Sequence, residues 1–367
     1  MNLTKEILNL RPKRIQKKIG EMPVLLLDLH TVFQVLNKYP LVIMAANPRI
    51  KQVIPGLMKA AQEMDSVIIF QLAASECNLK DGYTGLTPKS FFETIINYAL
   101  KNKFTKPFVI HTDHVKIKDT KPETIQVARD LISEVINVGY TSVAIDASSN
   151  QLDDNIRITA ELAKPVIENG LGLEVEIGEV LSKLDINKIT TVEEAENFVK
   201  SLIDLGIQPD ILAIYNGAKH GNYLPNEKVY IDLKRTKEIY QAIKKYGLSI
   251  AQHGITGTPM NLVKKFADCG IRKGNVATEW QNIALKNLPT DLRQKMENWA
   301  RANNKDIKFA IKQFKTEIDN IPQKFVEKII TETYKRAKEF IKVFRSKNSA
   351  KQLISELLSG HEPKKWD

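Results

Sequence analysis

Histidine is the residue whose placement in this sequence first suggests chemistry. The chain of 367 residues contains six histidines. Four of them, His111, His114, His220 and His253, lie at or just after the ends of predicted β-strands. A lone histidine is more often a structural residue than a ligand, but a set that converges on one edge favours a metal. Three imidazoles with an open fourth position form a catalytic zinc site, so this set predicts a bound metal.

Carboxylates accompany these histidines. Asp113 directly precedes His114, Asp146 ends the fourth predicted strand, and Glu174 and Glu176 lie on the fifth. Carboxylates beside a metal can act as general acids or bases, or can orient its ligands.

Glycines and threonines after the last three predicted strands form a second group. Backbone N–H groups at such turns bind phosphate, and Lys273 is a candidate cation beside them. The alternative is that the glycines only permit tight turns, but their position beside the histidines favours phosphate. The candidate substrate-binding residues, including Asn47 at the end of the first strand, are Asn47, Gly221, Gly254, Ile255, Thr256, Asn275, Val276, Ala277 and Thr278.

Eight short apolar runs predict the strands that carry these side chains. Their continuous apolar character is typical of parallel strands buried on both faces, and segments with helical spacing separate them. Eight β/α units over residues 40–285 predict a closed (β/α)₈ TIM barrel of about 250 residues, with an open doubly wound sheet as the alternative. The runs begin at Pro40, Ser66, Pro107, Ser142, Leu171, Ile211, Leu248 and Gly270.

Additional helices are predicted at both ends of the barrel. We expect an N-terminal helical segment over residues 1–39, the catalytic barrel over 40–285 and a helical C-terminal extension over 286–367. Helical spacing runs through residues 308–318 and 324–344.

The composition agrees with a globular protein, at 43% hydrophobic and 26% charged residues. The apolar runs are too short to span a bilayer, and residues 1–20 contain no apolar signal core. Two cysteines without an export signal favour the cytoplasm. The net charge of +11 comes without any nucleic-acid-binding motif, so we expect neither a nucleic-acid nor a membrane partner.

Five blocks in chain order resemble signature blocks of the class II, metal-dependent fructose-bisphosphate and tagatose-bisphosphate aldolases. The similarity extends from about Pro40 to Ala284, and the late helix RAKEFIKVFRSK resembles the family's last helix. The blocks are HTDH (111–114), LEVEIG (173–178), AKHGNY (218–223), HGITGTP (253–259) and GIRKGNVATE (270–279).

The resemblance implies a role for each candidate residue. His114, His220 and His253 match the zinc ligands, and Asp113 matches the acid/base that acts on the substrate hydroxyl. Asp146 and Glu176 match positions used near the metal or for alternate metal positions. The glycine-containing turns match the cradle for the phosphate of dihydroxyacetone phosphate.

The sequence also departs from the family pattern. Ile255 replaces a glycine of HGGSG and is expected to narrow the phosphate pocket or to shift the turn, and Ala73 replaces a serine. The Gly-Gly-x-Glu-Asp loop after the fifth strand is absent, which leaves Asp185, or else Glu179, as the candidate mobile base. The segment from Leu288 to about Val326 has no recognised counterpart.

The resemblance therefore predicts a zinc-dependent aldolase that reversibly cleaves a ketose bisphosphate, with fructose 1,6-bisphosphate as the first candidate, to dihydroxyacetone phosphate and an aldehyde phosphate. It also implies a role in glycolysis and a homo-oligomer, either a dimer or a tetramer. The alternatives are an aldolase for tagatose bisphosphate or another ketose phosphate, a metal-dependent epimerase or isomerase, and a non-catalytic family member that acts as a subunit.

Overall fold

A closed barrel of eight parallel strands forms the centre of the protein, and each strand pairs with its neighbours in chain order. The computed structural model describes residues 3–179, 184–219, 221–223 and 226–360. The prediction of a TIM barrel is confirmed, and the open sheet is excluded because the first strand pairs with the eighth. The strands are β1 (Ile43–Ala46), β2 (Ile68–Ala73), β3 (Phe108–Lys116), β4 (Ser142–Asp146), β5 (Gly172–Ile177), β6 (Ile211–Ile214), β7 (Ser249–Gln252) and β8 (Ile271–Val276).

Helices connect the strands and surround the barrel. The helices between residues 54 and 286 pack against the outside of the sheet, and their buried faces consist mainly of aliphatic and aromatic side chains. The first eleven helices are α1 (Lys5–Leu8), α2 (Lys13–Ile19), α3 (Leu29–Leu36), α4 (Ile54–Met64), α5 (Pro88–Lys101), α6 (Pro122–Val138), α7 (Leu152–Glu168), α8 (Val192–Asp204), α9 (Leu233–Ile243), α10 (Met260–Val263) and α11 (Thr278–Lys286). Within the described residues these are followed by α12 (Thr290–Ala302), α13 (Ala310–Gln313), α14 (Lys315–Asp319), α15 (Gln323–Val343) and α16 (Ser349–Leu358).

The helix boundaries follow the local sequence signals. Thr191 and Glu194 form a capping box at the start of α8, in which each side chain accepts a hydrogen bond from the other residue's backbone N–H. Gly139 ends α6 in the left-handed conformation that an αL C-cap requires.

The N-terminal segment closes one end of the barrel. Leu26 forms a parallel bridge with Phe108 of β3, and the backbone N–H of Leu27 donates to the Phe108 carbonyl at 2.9 Å. Leu25, Leu27 and Leu29 are fully buried in one apolar cluster with inward-facing residues of the barrel strands. Because this end is filled with apolar side chains, the chemistry is restricted to the opposite end, where the strands terminate.

The C-terminal helices pack onto the barrel rather than extending away from it. Helix α15 lies against α4 and also contacts α11, while α16 contacts α3. The segment 288–321, which contains α12, α13 and α14, lies between α11 and α15 in the chain.

Two helical predictions differ from the structure. Residues 308–318 do not form one helix, because the backbone N–H of Lys312 donates to the carbonyl of Tyr83 at 3.1 Å instead of continuing a single helix. After β7 the connection contains only the four-residue α10 and a 3₁₀ turn (Phe266–Cys269), since the turn after the strand occupies much of the available chain.

None of the helices in the described ranges has both the length and the apolar character needed to cross a membrane.

Candidate active site

A cavity of about 730 Å³ opens where the strands end. This is the end of a (β/α)₈ barrel at which active sites occur. Most of the predicted site residues line it, namely Asn47, Asp113, His114, Asp146, Gly221, His253, Gly254, Ile255, Thr256, Asn275, Ala277 and Thr278.

An irregularity in β3 brings Asp113 and His114 into the same cavity. Neighbouring side chains of a regular strand point to opposite faces, so one of the two should face away. The pairing of β3 with β4 shifts register between Thr112 and Val115, and His114 has a φ of 41°. A β-bulge re-aims side chains, and the left-handed region is strained for a residue other than glycine. The bulge therefore places both functional groups at the site.

The imidazoles of His114 and His253 face each other across the cavity floor. Nε2 of His114 lies 3.1 Å from Nδ1 of His253, and the two ring centroids are 4.4 Å apart. One oxygen of Asp113 belongs to the same compact group, in which all candidate ligand atoms lie within 4.8 Å of one another. This arrangement can hold a metal ion.

Two carboxylates hold the other side of the His114 ring. Its Nδ1 lies 2.7 Å from Oε1 of Glu176 and 3.2 Å from Oδ2 of Asp146. Burial opposes the charged imidazolium, but Glu176 and Asp113 outweigh it and raise the pKa of His114 well above its ordinary value. Burial and the charge of Asp146 raise the pKa of Glu176 to about 7. An imidazole oriented in this way by carboxylates is typical of a metal ligand.

Asp113 is a buried, ionised carboxylate. Its Oδ1 accepts a hydrogen bond from Nδ2 of Asn275 at 3.0 Å, and the same amide nitrogen lies 3.2 Å from Nδ1 of His253. Burial favours the neutral acid, but the positive charges of His114 and Lys273 hold the pKa of Asp113 well below its ordinary value. The carboxylate is therefore held in its unprotonated form.

Lys273 lies beneath these groups rather than beside the glycine-containing turns after β6, β7 and β8. Its fully buried ammonium contacts Oε2 of Glu174 at 2.6 Å and lies 3.8 Å from Oδ1 of Asp113. Burial would raise the pKa of Glu174, but Lys273 lowers it to about 2. The predicted phosphate cation is thus engaged in an internal ion pair. The sequence placed Glu174 at a strand end but gave no sign of this partner, which lies almost one hundred positions away.

The turn after β7 is a tight turn that depends on glycine and is tied to α11. Gly254 has a φ of 67°, and a Cβ there would lie 2.5 Å from the carbonyl oxygen of Lys219, so the turn requires glycine. The Thr256 hydroxyl accepts from the backbone N–H of Glu279 at 3.0 Å, which joins this turn to the start of α11.

The side chain of Ile255 does not narrow the cavity. It is 1% exposed, and its Cδ1 lies 3.1 Å from the position that a Cβ on Gly274 would occupy, next to the ring of Phe344. The isoleucine therefore packs into the apolar layer between the sheet and the C-terminal helices. Its backbone remains at the cavity wall.

Several predicted residues are not placed at the cavity. Val276 is fully buried and does not line it, although its carbonyl accepts from the backbone N–H of Asn47 at 3.1 Å. Asp185 begins a 3₁₀ turn, where its carboxylate accepts from the N–H of Asn187, and it is absent from the cavity wall. The predicted ligand His220 lies outside the described residues.

Arg49 and Glu76 line the cavity but were not predicted. Nε of Arg49 contacts Oε1 of Glu76 at 2.6 Å, and Asn47 donates to the other oxygen at 2.9 Å. Their positions just after β1 and β2 are the signal that could have identified them, since residues after barrel strands face the site.

Comparisons with known proteins agree on one family. The family model described as "Fructose-bisphosphate aldolase class-II" matches residues 28–349. The chain is 28% identical over 246 residues to a fructose-bisphosphate aldolase of Streptococcus pyogenes, which covers 66% of this chain and 75% of that protein. It is 26% identical to a probable fructose-bisphosphate aldolase of Bacillus subtilis, covering 66% of this chain and 78% of that protein.

Solved structures share the fold. An aldolase from Escherichia coli K12 superposes with a TM-score of 0.63 at 22% identity, covering 89% of this chain and 100% of that one. A fructose-bisphosphate aldolase from Campylobacter jejuni gives a TM-score of 0.66 at 17% identity, covering 89% and 97%. The barrel brings strand-end histidines, Asp113 and glycine-containing turns together. The family match therefore shows that this chain belongs to the class II fructose-bisphosphate aldolases, and that it is a carbon–carbon lyase.

Proposed function

We propose that this aldolase is zinc-dependent and cleaves a ketose bisphosphate, with fructose 1,6-bisphosphate as the first candidate, to dihydroxyacetone phosphate and an aldehyde phosphate. The observation that carries the proposal is the facing pair of nitrogens on His114 and His253, with Asp113 beside them. The wider substrate class, a sugar phosphate, follows from the family.

The donor set fits a metal of the zinc class. Two nitrogens bound to one tetrahedral zinc at ~2.0–2.1 Å lie roughly 3.3 Å apart. The separation of 3.1 Å between His114 Nε2 and His253 Nδ1 is close to that spacing. With His220 we propose three imidazole ligands and an open position. When bound, zinc would supply Lewis-acid polarisation of the substrate's carbonyl oxygen.

The protein's own groups account for the proton movements. Asp113 would take the proton from the hydroxyl at the breaking carbon–carbon bond and return it during condensation. The Asn275 amide fixes this carboxylate by donating to it. Asp146 and Glu176 would keep a proton on Nδ1 of His114, which leaves Nε2 directed at His253 and the metal position.

The phosphate of the dihydroxyacetone half would lie at the turns after β6, β7 and β8. Gly221, Gly254 and Thr256 line this wall of the cavity, and Thr278 begins helix α11. Backbone N–H groups at a helix N-terminus stabilise an anion there.

A coupled assay for dihydroxyacetone phosphate over a panel of ketose phosphates tests the proposal. We expect fructose 1,6-bisphosphate to give the highest kcat/KM, tagatose 1,6-bisphosphate a lower value, and inorganic phosphate or sulfate to compete with either. An unphosphorylated ketose that reacts as efficiently as its phosphate would contradict the phosphate assignment. Full activity after exhaustive chelation would contradict the metal.

Asp185 remains our candidate for the base that exchanges the dihydroxyacetone phosphate proton with solvent. The residue would have to travel from its 3₁₀ turn to the cavity, so exchange is expected to be slow. Asp185→Ala should suppress this exchange, measured by NMR in D₂O, and leave zinc affinity unchanged. Exchange at the wild-type rate in the mutant would transfer the role to Glu179.

The remaining predictions concern the setting of the enzyme. We propose a cytoplasmic, glycolytic homo-oligomer without nucleic-acid or membrane partners. The division into segments 1–39, 40–285 and 286–367 likewise stays a proposal.

A further inference from the structure

Arg49 lies where the first strand leads into the cavity, beside the start of α11. Its Nη1 lies 2.9 Å from Oε1 of Gln281 and 3.4 Å from the hydroxyl oxygen of Thr278. Thr278 is the first residue of α11 and lines the same cavity. The guanidinium is therefore directly beside the proposed phosphate position.

Glu76 fixes the orientation of this arginine and leaves other guanidinium N–H groups for a ligand. The carboxylate is 2% exposed, and Arg49 occupies it only through Nε, at 2.6 Å. Three other donors complete its shell, from the Asn47 amide at 2.9 Å, the Ala73 backbone N–H at 3.0 Å and the Tyr83 hydroxyl at 2.9 Å. A carboxylate held by four donors cannot rotate freely, so the arginine it binds is also held in one conformation.

The segment 288–321, which contains α12, α13 and α14, supports this arrangement from outside. The backbone N–H of Lys312 donates to the carbonyl of Tyr83, and the ring of Phe309 meets the Tyr83 ring edge-on at 5.3 Å between centroids. A continuous set of contacts thus runs from segment 288–321 through Tyr83 and Glu76 to Arg49.

The guanidinium keeps donor capacity for a ligand. It carries five N–H groups, of which Nε serves Glu76 and Nη1 serves Gln281 and Thr278. Among the described residues no hydrogen bond uses Nη2, and the side chain lines the cavity. Nη2 can therefore donate charge-assisted hydrogen bonds to a phosphate oxygen.

We propose that Arg49 is a phosphate-binding residue of this enzyme, and that Glu76 and Tyr83 are its positioning residues. Arg49 is then the cation beside the phosphate, the role predicted for Lys273. The ammonium of Lys273 is instead buried against Glu174. The identity of the substrate rests on the proposed function, whereas anion binding by Arg49 can be measured without turnover.

The test compares Arg49→Gln and Arg49→Lys with the wild-type enzyme. Binding of inorganic phosphate is measured by calorimetry, and kcat and KM are measured for a ketose bisphosphate and for the unphosphorylated ketose. Loss of a charge-assisted hydrogen bond predicts about 10- to 100-fold weaker phosphate binding and a similar rise in KM in Arg49→Gln. Arg49→Lys should restore part of the affinity, and Tyr83→Phe should weaken it by less than Arg49→Gln does.

The matched control is Arg345→Lys, which alters an exposed arginine–carboxylate pair with Asp268 away from the cavity. It should bind phosphate as the wild type does. Equal phosphate affinity in Arg49→Gln and wild type would overturn the proposal. An equal loss of kcat/KM with the ketose bisphosphate and with the unphosphorylated ketose would also overturn it. An ion pair that only stabilises the fold would not distinguish these two substrates. If phosphate binding depends on Arg49 but no ketose phosphate is cleaved, the proposed function fails and this inference stands.

Discussion

Asp113→Asn is expected to lower kcat by about 100-fold or more, the range for a positioned acid or base. Asparagine has nearly the same shape, so its side-chain oxygen can still accept from Nδ2 of Asn275, as Oδ1 of Asp113 does at 3.0 Å. The amide cannot accept the substrate's hydroxyl proton. Zinc content and the fold should therefore be retained while turnover is lost, as measured by metal analysis, circular dichroism and the aldol cleavage assay.

A competing role for Asp113 makes a different prediction. One of its oxygens lies in the same ligand group as His114 and His253, so it could instead support the metal. In that case Asp113→Asn would weaken zinc binding in proportion to the loss of activity. Asp119→Asn is the matched control, because Asp119 follows the same strand in an exposed loop and does not line the cavity. Normal turnover in Asp113→Asn would remove this residue from the mechanism.

His253→Ala should abolish both tight zinc binding and turnover. The change removes the nitrogen that lies 3.1 Å from Nε2 of His114 and leaves two of the three proposed imidazoles, which form a weak site. Zinc retained after dialysis should fall well below one ion per chain, and added zinc should restore little activity.

The matched control is His30→Gln. His30 also pairs with a carboxylate, Asp210, at 2.6 Å, but it lies on α3 at the apolar end of the barrel. It should keep one zinc per chain and wild-type kcat, whatever its stability. Full zinc content in His253→Ala would refute the proposed ligand set.

The sequence by itself determined the architecture and half of the residues that line the cavity. Eight buried apolar runs, separated by helical segments, can satisfy their backbone hydrogen bonds and bury both faces in a closed parallel barrel. Parallel strands all end on the same side, so strand-end residues such as Asp113, Asp146 and His253 had to meet there. This reasoning needs only the hydrophobic period and the chain order, both of which are local properties.

The tertiary structure decided which way the individual side chains point. The bulge in β3, with its left-handed His114, depends on the register between β3 and β4 and leaves no local sequence signal. Ile255, in the turn after β7, could pack outward because Gly274 on the neighbouring strand leaves room for its side chain.

The tertiary structure also decided which charged side chains pair with each other. Lys273 turns inward to Glu174, and Arg49 is bound by Glu76, across sequence separations that the chain order does not reveal. A buried charge must find its partner among the groups that barrel closure brings near it. Which cation remains beside the proposed phosphate position therefore follows from the closed barrel, and not from the composition of any one segment.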